Sequence, residues 1–257
     1  MLLGAHVPAK KPLTAADERG AEVLQLNLSS PRAWRDPVPR ADAADLLADA
    51  RPIYVHAPYL INVVSADADV RARSSHSLQV TCTAAATVGA AGVVVHTGHG
   101  PAGEDVEVGR GRWRRVLEQL ETDVPVLLES TAGGQHPVAR TVDQVLALFE
   151  ALDDVAVPLG FCLDTCHLYA GGEELVGATE RLRTELGRID LVHLNDSRDP
   201  LGSSRDRHAN LGDGMCPPEA LAGAVAAADA PTVIETPGDA ADHAADLAWI
   251  REQLGGR

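Results

Sequence analysis

The chain has 257 residues, of which 45% are hydrophobic. That length and composition allow one α/β barrel or a pair of smaller domains, with a core large enough to need no disulfide bonds. The formal net charge of −15 at pH 7 excludes a protein that coats nucleic acid non-specifically. It does not exclude a protein that grips a short stretch of DNA.

The cysteines and the N-terminal residues bear on the compartment. Cys82, Cys162, Cys166 and Cys216 show neither CxxC spacing nor the density of a disulfide framework, so we expect reduced thiols. The first residues, MLLGAHVPAKKPL, contain no apolar run long enough for a signal peptide, and no stretch is apolar enough to span a bilayer. We therefore expect a cytoplasmic protein that does not bind membranes.

Short apolar, β-branched runs alternate with Ala- and Leu-rich helical segments along the whole chain. In chain order, the predicted strands are residues 2–7, 23–28, 53–59, 93–98, 126–130, 160–166, 191–196 and 232–237. The predicted helices between them include residues 42–50, 74–91, 113–121, 142–152, 175–186, 218–228 and 240–253. Eight strands alternating with helices predict a closed parallel barrel. No linker divides the chain, so we predict a single α/β domain, a (β/α)8 TIM barrel, over residues 1–257.

A side chain able to bind a metal or a proton stands at the end of every predicted strand. These residues are His6, Asn27, His56, His96, Glu129, Asp164, His193 and Glu235. In a barrel, the carboxyl ends of all strands open onto one face, where active sites lie. Any one of these histidines could equally be a hydrogen-bonded core or loop residue. The whole set favours a shared site.

The residue types in this set are those that bind zinc and its neighbours in the first transition row. Two local pairs add ligands, since His167 follows Asp164 as the chain turns, and Asp206 and His208 are spaced i, i+2 in an extended loop. The candidate ligands are His56, His96, Glu129, Asp164, His167, His193, Asp206, His208 and Glu235. Nine ligands fit two or three ions, and multi-metal sites of this type typically hydrolyse phosphate esters. The sequence therefore predicts a metal-dependent hydrolase.

Longer motifs carry a family resemblance. They are HAPYLIN (56–62), VVVHTGHG (93–100), LESTAGG (128–134), CLDTCH (162–167), HLNDSRDPLGSSRDRHANLGDG (193–214) and VIETP (233–237). In order and spacing they closely resemble the endonuclease IV family, the second family of apurinic/apyrimidinic (AP) endonucleases. The resemblance implies a trinuclear zinc barrel that cuts DNA on the 5′ side of an abasic site and leaves a 3′-hydroxyl. It also implies 3′-end phosphodiesterase or phosphatase activity in base excision repair.

The resemblance assigns roles to the ligands. His56 and His96 would bind one zinc with Glu129, which bridges to a second. Asp164, His193 and Glu235 would complete the second site, and His167, Asp206 and His208 would hold the third. Manganese is an alternative ion at one or more sites. Glu129 and Glu235 would be catalytic, with Glu235 orienting or deprotonating the attacking water, and His6 would donate a hydrogen bond to a ligand.

The expected partner is double-stranded DNA with abasic sites or blocked 3′ ends, bound by a monomer. Tyr59 and Leu60 resemble residues that the family inserts through the minor groove, and Arg32 lies in a second such loop, where Trp34 is assigned to packing. Ala33, Ser130 and the Thr97-Gly98 pair depart from the family pattern without touching a ligand. These departures bear on DNA affinity and damage preference.

The remaining histidines are assigned away from the metals. His99 is expected in a solvated loop, and His76, His136 and His243 are expected on surface helices or loops.

Two other functions stay open. Sugar isomerases and epimerases share this barrel and use similar ligands, although they would not need His167 or the Asp206 and His208 pair. A protein that binds damaged DNA without turnover would carry a broken ligand set, whereas this set is complete.

Overall fold

The computed structural model describes residues 1–255 and contains twelve strands within them. In chain order they are β1 (Leu3–His6), β2 (Leu24–Leu26), β3 (Ile53–His56), β4 (Gly92–His96), β5 (His99–Gly100), β6 (Val126–Glu129), β7 (His136–Pro137), β8 (Leu159–Asp164), β9 (Leu191–His193), β10 (Asp196–Ser197), β11 (His208–Ala209) and β12 (Thr232–Ile234). The short strands β5 with β7 and β10 with β11 form two antiparallel pairs.

The other eight strands close into a parallel barrel in the order β1, β2, β3, β4, β6, β8, β9, β12, and β12 pairs back with β1. Each of these strands overlaps one of the eight strands predicted from the sequence. The predicted (β/α)8 barrel is therefore confirmed.

Nine helices lie within residues 1–255. They are α1 (Pro12–Arg19), α2 (Ala43–Ala48), α3 (Ala68–Thr87), α4 (Val106–Gln119), α5 (Val142–Ala151), α6 (Thr165–Gly171), α7 (Leu175–Leu186), α8 (Pro218–Ala228) and α9 (Ala240–Gly255). Two of these helices, α1 and α6, were not among those predicted from the sequence. Helix α1 starts after Lys11, which makes no side-chain cap, and α6 continues directly from a barrel strand. In the described part of the chain, no helix is long and apolar enough to cross a membrane.

The barrel interior is filled by a ring of apolar side chains, roughly one from each strand. The ring is Val23, Tyr54, Val94, Leu127, Cys162, Leu191 and Val233. The residues between these inward positions, such as Val93 and Val95, join the larger core between strands and helices. Because strand side chains alternate with a period of two, the residue two places beyond each ring member also points inward. The apolar ring therefore forms the floor under the next inward layer.

Candidate metal centre

The layer above the apolar ring consists of polar residues. Two positions after each ring member come Gln25, His56, His96, Glu129, Asp164, His193 and Glu235. Six of these seven are ligands predicted from the sequence. The seventh, Gln25, was missed because it lies inside β2 rather than at the strand's end.

Glu129 lies at the middle of the layer and is fully buried. Its Oε2 atom is 3.3 Å from His56 Nε2 and 3.2 Å from His96 Nε2. Its Oε1 atom is 3.1 Å from His193 Nδ1 and 3.3 Å from His167 Nδ1. The two carboxylate oxygens thus face different pairs of imidazoles, as a carboxylate shared by two ions would.

A second group of candidate metal ligands lies near Oε1 of Glu129. Ligand atoms of Glu129, Asp164, His193 and Glu235 all lie within 4.8 Å of one another. His193 Nδ1 is 3.3 Å from Glu235 Oε2. Asp164 and His193 are fully buried, whereas Glu235 keeps 17% of its side chain exposed. Glu235 is therefore the member of this group that can meet a substrate.

A third group combines α6 with the loop that follows β10. Asp206 Oδ1 is 3.2 Å from His167 Nε2 and 3.1 Å from His208 Nε2. The Asp164 side chain accepts from the backbone N–H of His167 and caps α6, which fixes the histidine beside the second group. The structure thus brings all nine predicted ligands together in overlapping clusters, three of which are the groups described above. Cys166 joins Asp164 and His208 in a further cluster.

Several buried candidate ligand atoms in these groups make no hydrogen bond. Glu129 Oε2, His167 Nε2 and His208 Nε2 are inaccessible. Each lies 3.1 to 3.3 Å from another candidate ligand, but none of these contacts within residues 1–255 has hydrogen-bond geometry. Buried polar atoms are nearly always paired, so three orphans pointing into one cluster indicate a missing partner. Imidazole nitrogens and carboxylate oxygens are ligands of divalent transition metals. The residues therefore fit a metal centre.

The charges in the cluster depend on one another. Burial would raise the pKa of Glu129, but His96 and His193 hold it well below the usual 4.5. Burial would lower the pKa of His56, but the Glu129 carboxylate raises it to about 9. Without a metal, the raised pKa of His56 leaves its imidazole protonated next to the Glu129 carboxylate, and a binding ion must displace that proton.

Gln25 joins two of the candidate ligands and is fully buried. Its Oε1 atom lies 2.8 Å from His193 Nε2, and its Nε2 donates to Glu235 Oε1 at 2.6 Å. With a metal at this group, Nδ1 of His193 would lose its proton, and the proton that remains on Nε2 would donate to Gln25 Oε1. Gln25 thereby fixes the tautomer of one ligand and the orientation of another.

Two further buried residues link the loops that carry ligands. Asn195 donates to Asp164 Oδ2 at 2.8 Å and accepts from the backbone N–H of Glu235 at 2.9 Å. Asp246 on α9 accepts from the Thr236 hydroxyl at 2.6 Å and from the backbone N–H of Leu211 at 3.0 Å. The segment after Glu235 and the segment after His208 are thus tied to one helix.

The histidines outside the nine fall into two kinds. His6 Nδ1 is 3.5 Å from Glu235 Oε1, where a group supporting a ligand would lie. His99, His136 and His76 are exposed, as predicted. His243 is not on the surface, so that prediction is wrong.

His243 is buried because α9 packs this face against α1. The Arg19 Nε atom donates to His243 Nδ1 at 3.0 Å, and His243 Nε2 lies 2.8 Å from the backbone oxygen of Thr236. The ring is therefore a neutral imidazole that joins α1 to the segment after Glu235.

Of the three side chains predicted to touch DNA, Tyr59 lines the cavity of the metal centre, while Leu60 follows it in sequence and Arg32 follows Pro31, which also lines that cavity. Tyr59 is 61% exposed, and its ring meets that of His96 edge-on with centroids 5.5 Å apart. Arg32 is exposed and Leu60 is half-buried. Trp34 packs against the core, as expected. A hydrogen bond from the backbone N–H of Tyr59 to the Pro31 oxygen joins the two loops.

A cavity of about 330 Å³ opens beneath these loops. It is lined by side chains of all three ligand groups, among them His56, His96, His167, His208 and Glu235. Thr97 lies buried beside it, with its hydroxyl 3.0 Å from that of Thr131. The departure at Thr97 is thus accommodated inside the fold and leaves the cavity open.

A parallel barrel with histidines and carboxylates at its mouth defines a class of protein, the xylose isomerase-like TIM barrels. The sequence model of the family with that description matches residues 13–253.

Individual relatives show which family within the xylose isomerase-like TIM barrels the chain resembles in sequence. "Probable endonuclease 4" of Mycobacterium marinum is 54% identical over 254 residues, covering 99% of each chain. The crystal structure of endonuclease IV from Thermus thermophilus matches with a TM-score of 0.85 and 30% identity, over 100% of both chains. The chain belongs to the endonuclease IV family and is a DNA-cleaving hydrolase.

The fold is also shared with sugar enzymes. A D-tagatose 3-epimerase-like protein matches with a TM-score of 0.77, covering 99% of this chain and 97% of the other, at only 16% identity. Likeness at that identity shows the barrel alone. The relatives over the full length favour the nuclease over the isomerase alternative.

Proposed function

We propose that the protein is a zinc-dependent AP endonuclease that hydrolyses the phosphodiester on the 5′ side of an abasic site during base excision repair. The observation that carries the proposal is the complete set of nine candidate ligands, which lie in adjoining groups with Glu129 shared between two of them. Trimming of blocked 3′ ends would use the same site, since it breaks the same kind of phosphate ester bond.

The three groups of donors would hold three zinc ions, with manganese as the alternative. His56 and His96 would serve the first, Asp164, His193 and Glu235 the second, and His167, Asp206 and His208 the third. Glu129 would contribute to both the first and the second. When bound, such ions lower the pKa of a water molecule and neutralise charge on the phosphate.

Glu235 is the residue we assign to the attacking water. Its Oε1 atom is held by Gln25 and approached by His6, while the side chain stays partly open to the cavity. A carboxylate fixed in this way orients water and accepts its proton. The water oxygen bonds to phosphorus and its proton passes to Glu235, the P–O3′ bond breaks, and the departing oxygen takes a proton from solvent to become the 3′-hydroxyl.

The rim residues supply recognition. An abasic site lacks a base, so a protein detects it through backbone shape, deformability and side chains that enter the vacant stack. Tyr59, Leu60 and Arg32 stand on joined loops over the cavity, where they can do so.

The rest of the proposal concerns the protein as a whole. Residues 1–257 act as one domain, as a monomer, in the cytoplasm. Four buried cysteines that form no disulfide support a reducing compartment.

The test is incubation of the purified protein with a duplex that carries one natural abasic site, with and without a chelator. We expect cleavage that the chelator abolishes and that added zinc restores, and a Glu129→Gln variant that does not cut. Binding without any cleavage would instead identify a damage-binding protein. Cleavage that survives the chelator would remove the metal centre from the mechanism.

A further inference from the structure

A second cavity, of about 560 Å³, lies beside the cavity of the metal centre. The two share wall residues His6, Asn27, Pro31 and His243. The segments after β1, β2 and β12 form its walls, so it opens on the same face of the barrel. A polymeric substrate seated at the metal centre can therefore extend into this second cavity.

Arg19 lines this cavity and is only 7% exposed. Its Nη1 atom donates to the Ala15 backbone oxygen at 2.8 Å and its Nε atom to His243 Nδ1 at 3.0 Å. Within residues 1–255, no carboxylate lies within 4.0 Å of the guanidinium, and no hydrogen bond engages Nη2. Arginine stays charged at any physiological pH, and buried charges are normally paired. Arg19 is therefore a fixed cation without an anion.

The surroundings keep that cation in place without neutralising it. His243 accepts from Arg19 through one ring nitrogen and lies against the Thr236 oxygen through the other, so the ring carries no negative charge to offer. The hydrogen bonds from Arg19 to the Ala15 oxygen on α1 and to His243 on α9 fix the orientation of the guanidinium, and both acceptors are neutral. A preorganised guanidinium loses little entropy when it binds an anion.

The walls of the cavity match an anion. Among the described residues, no aspartate or glutamate lines this cavity, although the protein has 37 acidic residues. Instead Ser29 and Ser30 supply hydroxyls and Asn27 an amide, and exposed Arg32 follows directly in sequence after Pro31. Hydroxyl, amide and guanidinium donors together bind phosphate oxygens.

We propose that this cavity, with Arg19 at its wall, binds a backbone phosphate of the DNA strand beside the phosphate that is cut. The inference rests on the proposed function, because the shared wall matters only if DNA occupies the metal centre. It assigns Arg19 to positioning the duplex and leaves the chemistry to the metal centre.

The test compares Arg19→Met with a control variant, Arg188→Met. Arg188 is a surface arginine paired with Asp190, and it lies next to the start of β9 at the opposite end of the barrel. Binding is measured against salt on a duplex already nicked beside the abasic residue, so that holoenzyme binds without cutting. For Arg19→Met, we expect the slope of log K against log salt to fall by about 1 and affinity to fall on the order of tenfold. Metal content and kcat should stay at the wild-type level, and Arg188→Met should match the wild type throughout.

A substitution of single phosphates by neutral methylphosphonates locates the contact. The wild type should lose kcat/KM at one or two positions near the abasic residue, and Arg19→Met should be insensitive there. Ser29→Asp, which places a carboxylate in the wall and leaves Arg19 intact, should weaken binding as well and decides the matter if Arg19→Met does not fold. A wild-type salt slope and wild-type KM in both variants would overturn the proposal. Failure of the wild type to cut any abasic duplex would instead overturn the proposed function.

Discussion

Replacing Gln25 with leucine tests whether this buried amide holds two metal ligands in place. The change keeps the volume near that of glutamine but leaves the His193 Nε2 proton and Glu235 Oε1 without their partners. Each buried polar atom left unpaired costs about 1–3 kcal/mol. Loss of such supporting hydrogen bonds typically weakens metal binding about 10- to 100-fold. We expect the Gln25→Leu protein to fold and to hold one ion more weakly by that factor.

Chelator titration with metal readout measures this directly. One equivalent of metal should leave Gln25→Leu at a chelator concentration about 10- to 100-fold lower than in the wild type. Gln79→Leu is the matched control, because Gln79 also makes hydrogen bonds through both amide atoms, but to Glu121 on the outside of the barrel. The control variant should unfold at a slightly lower temperature than the wild type and keep the wild-type chelator titration curve. If the Gln25→Leu curve superimposes on the wild type, the supporting role is refuted.

Four further predictions concern the centre and its rim. Elemental analysis of the native protein should give two to three transition-metal ions per chain, mainly zinc, and full activity with one ion or none would contradict the grouping. Glu129→Ala should lose more metal and activity than any single histidine variant, because its two carboxylate oxygens face different pairs of imidazoles and it is the residue expected to bridge two ions; retention of most activity would show that it does not bridge. Arg32→Ala and Tyr59→Ala should weaken binding to abasic duplex with metal content unchanged, unless those loops only pack. Metal affinity should fall as pH drops below about 9, the pKa of His56, because protons then compete for the imidazole; a pH-independent affinity would refute this competition.

The sequence predicted which candidate ligands lie together, because most of them end a strand and strand ends can be recognised in the sequence. His56, His96, Glu129, Asp164 and His193 each end a barrel strand, and the fold alone sends strand ends to one face. The motifs then grouped those ligands, and the structure places them as three adjoining sets.

The supporting residues were harder to see. Gln25 lies mid-strand, and counting in twos from Val23 would have shown that it points into the barrel. Arg19 and His243 meet across 224 positions of sequence, so only the packing of α1 on α9 reveals that both are buried. Local pattern carries no information about such a pairing.

The proposed function requires that the protein cuts DNA by hydrolysis and not by β-elimination. Elimination needs an amine that forms a Schiff base with the sugar aldehyde. The chain's two lysines, Lys10 and Lys11, are exposed and do not line the cavity of the metal centre. Incubation with a duplex that carries one tetrahydrofuran residue, which has no aldehyde, tests this most directly. We expect a chelator-sensitive nick on the 5′ side with a 3′-hydroxyl that a polymerase extends. No cleavage of that duplex, together with borohydride trapping of a covalent adduct at a natural abasic site, would contradict it.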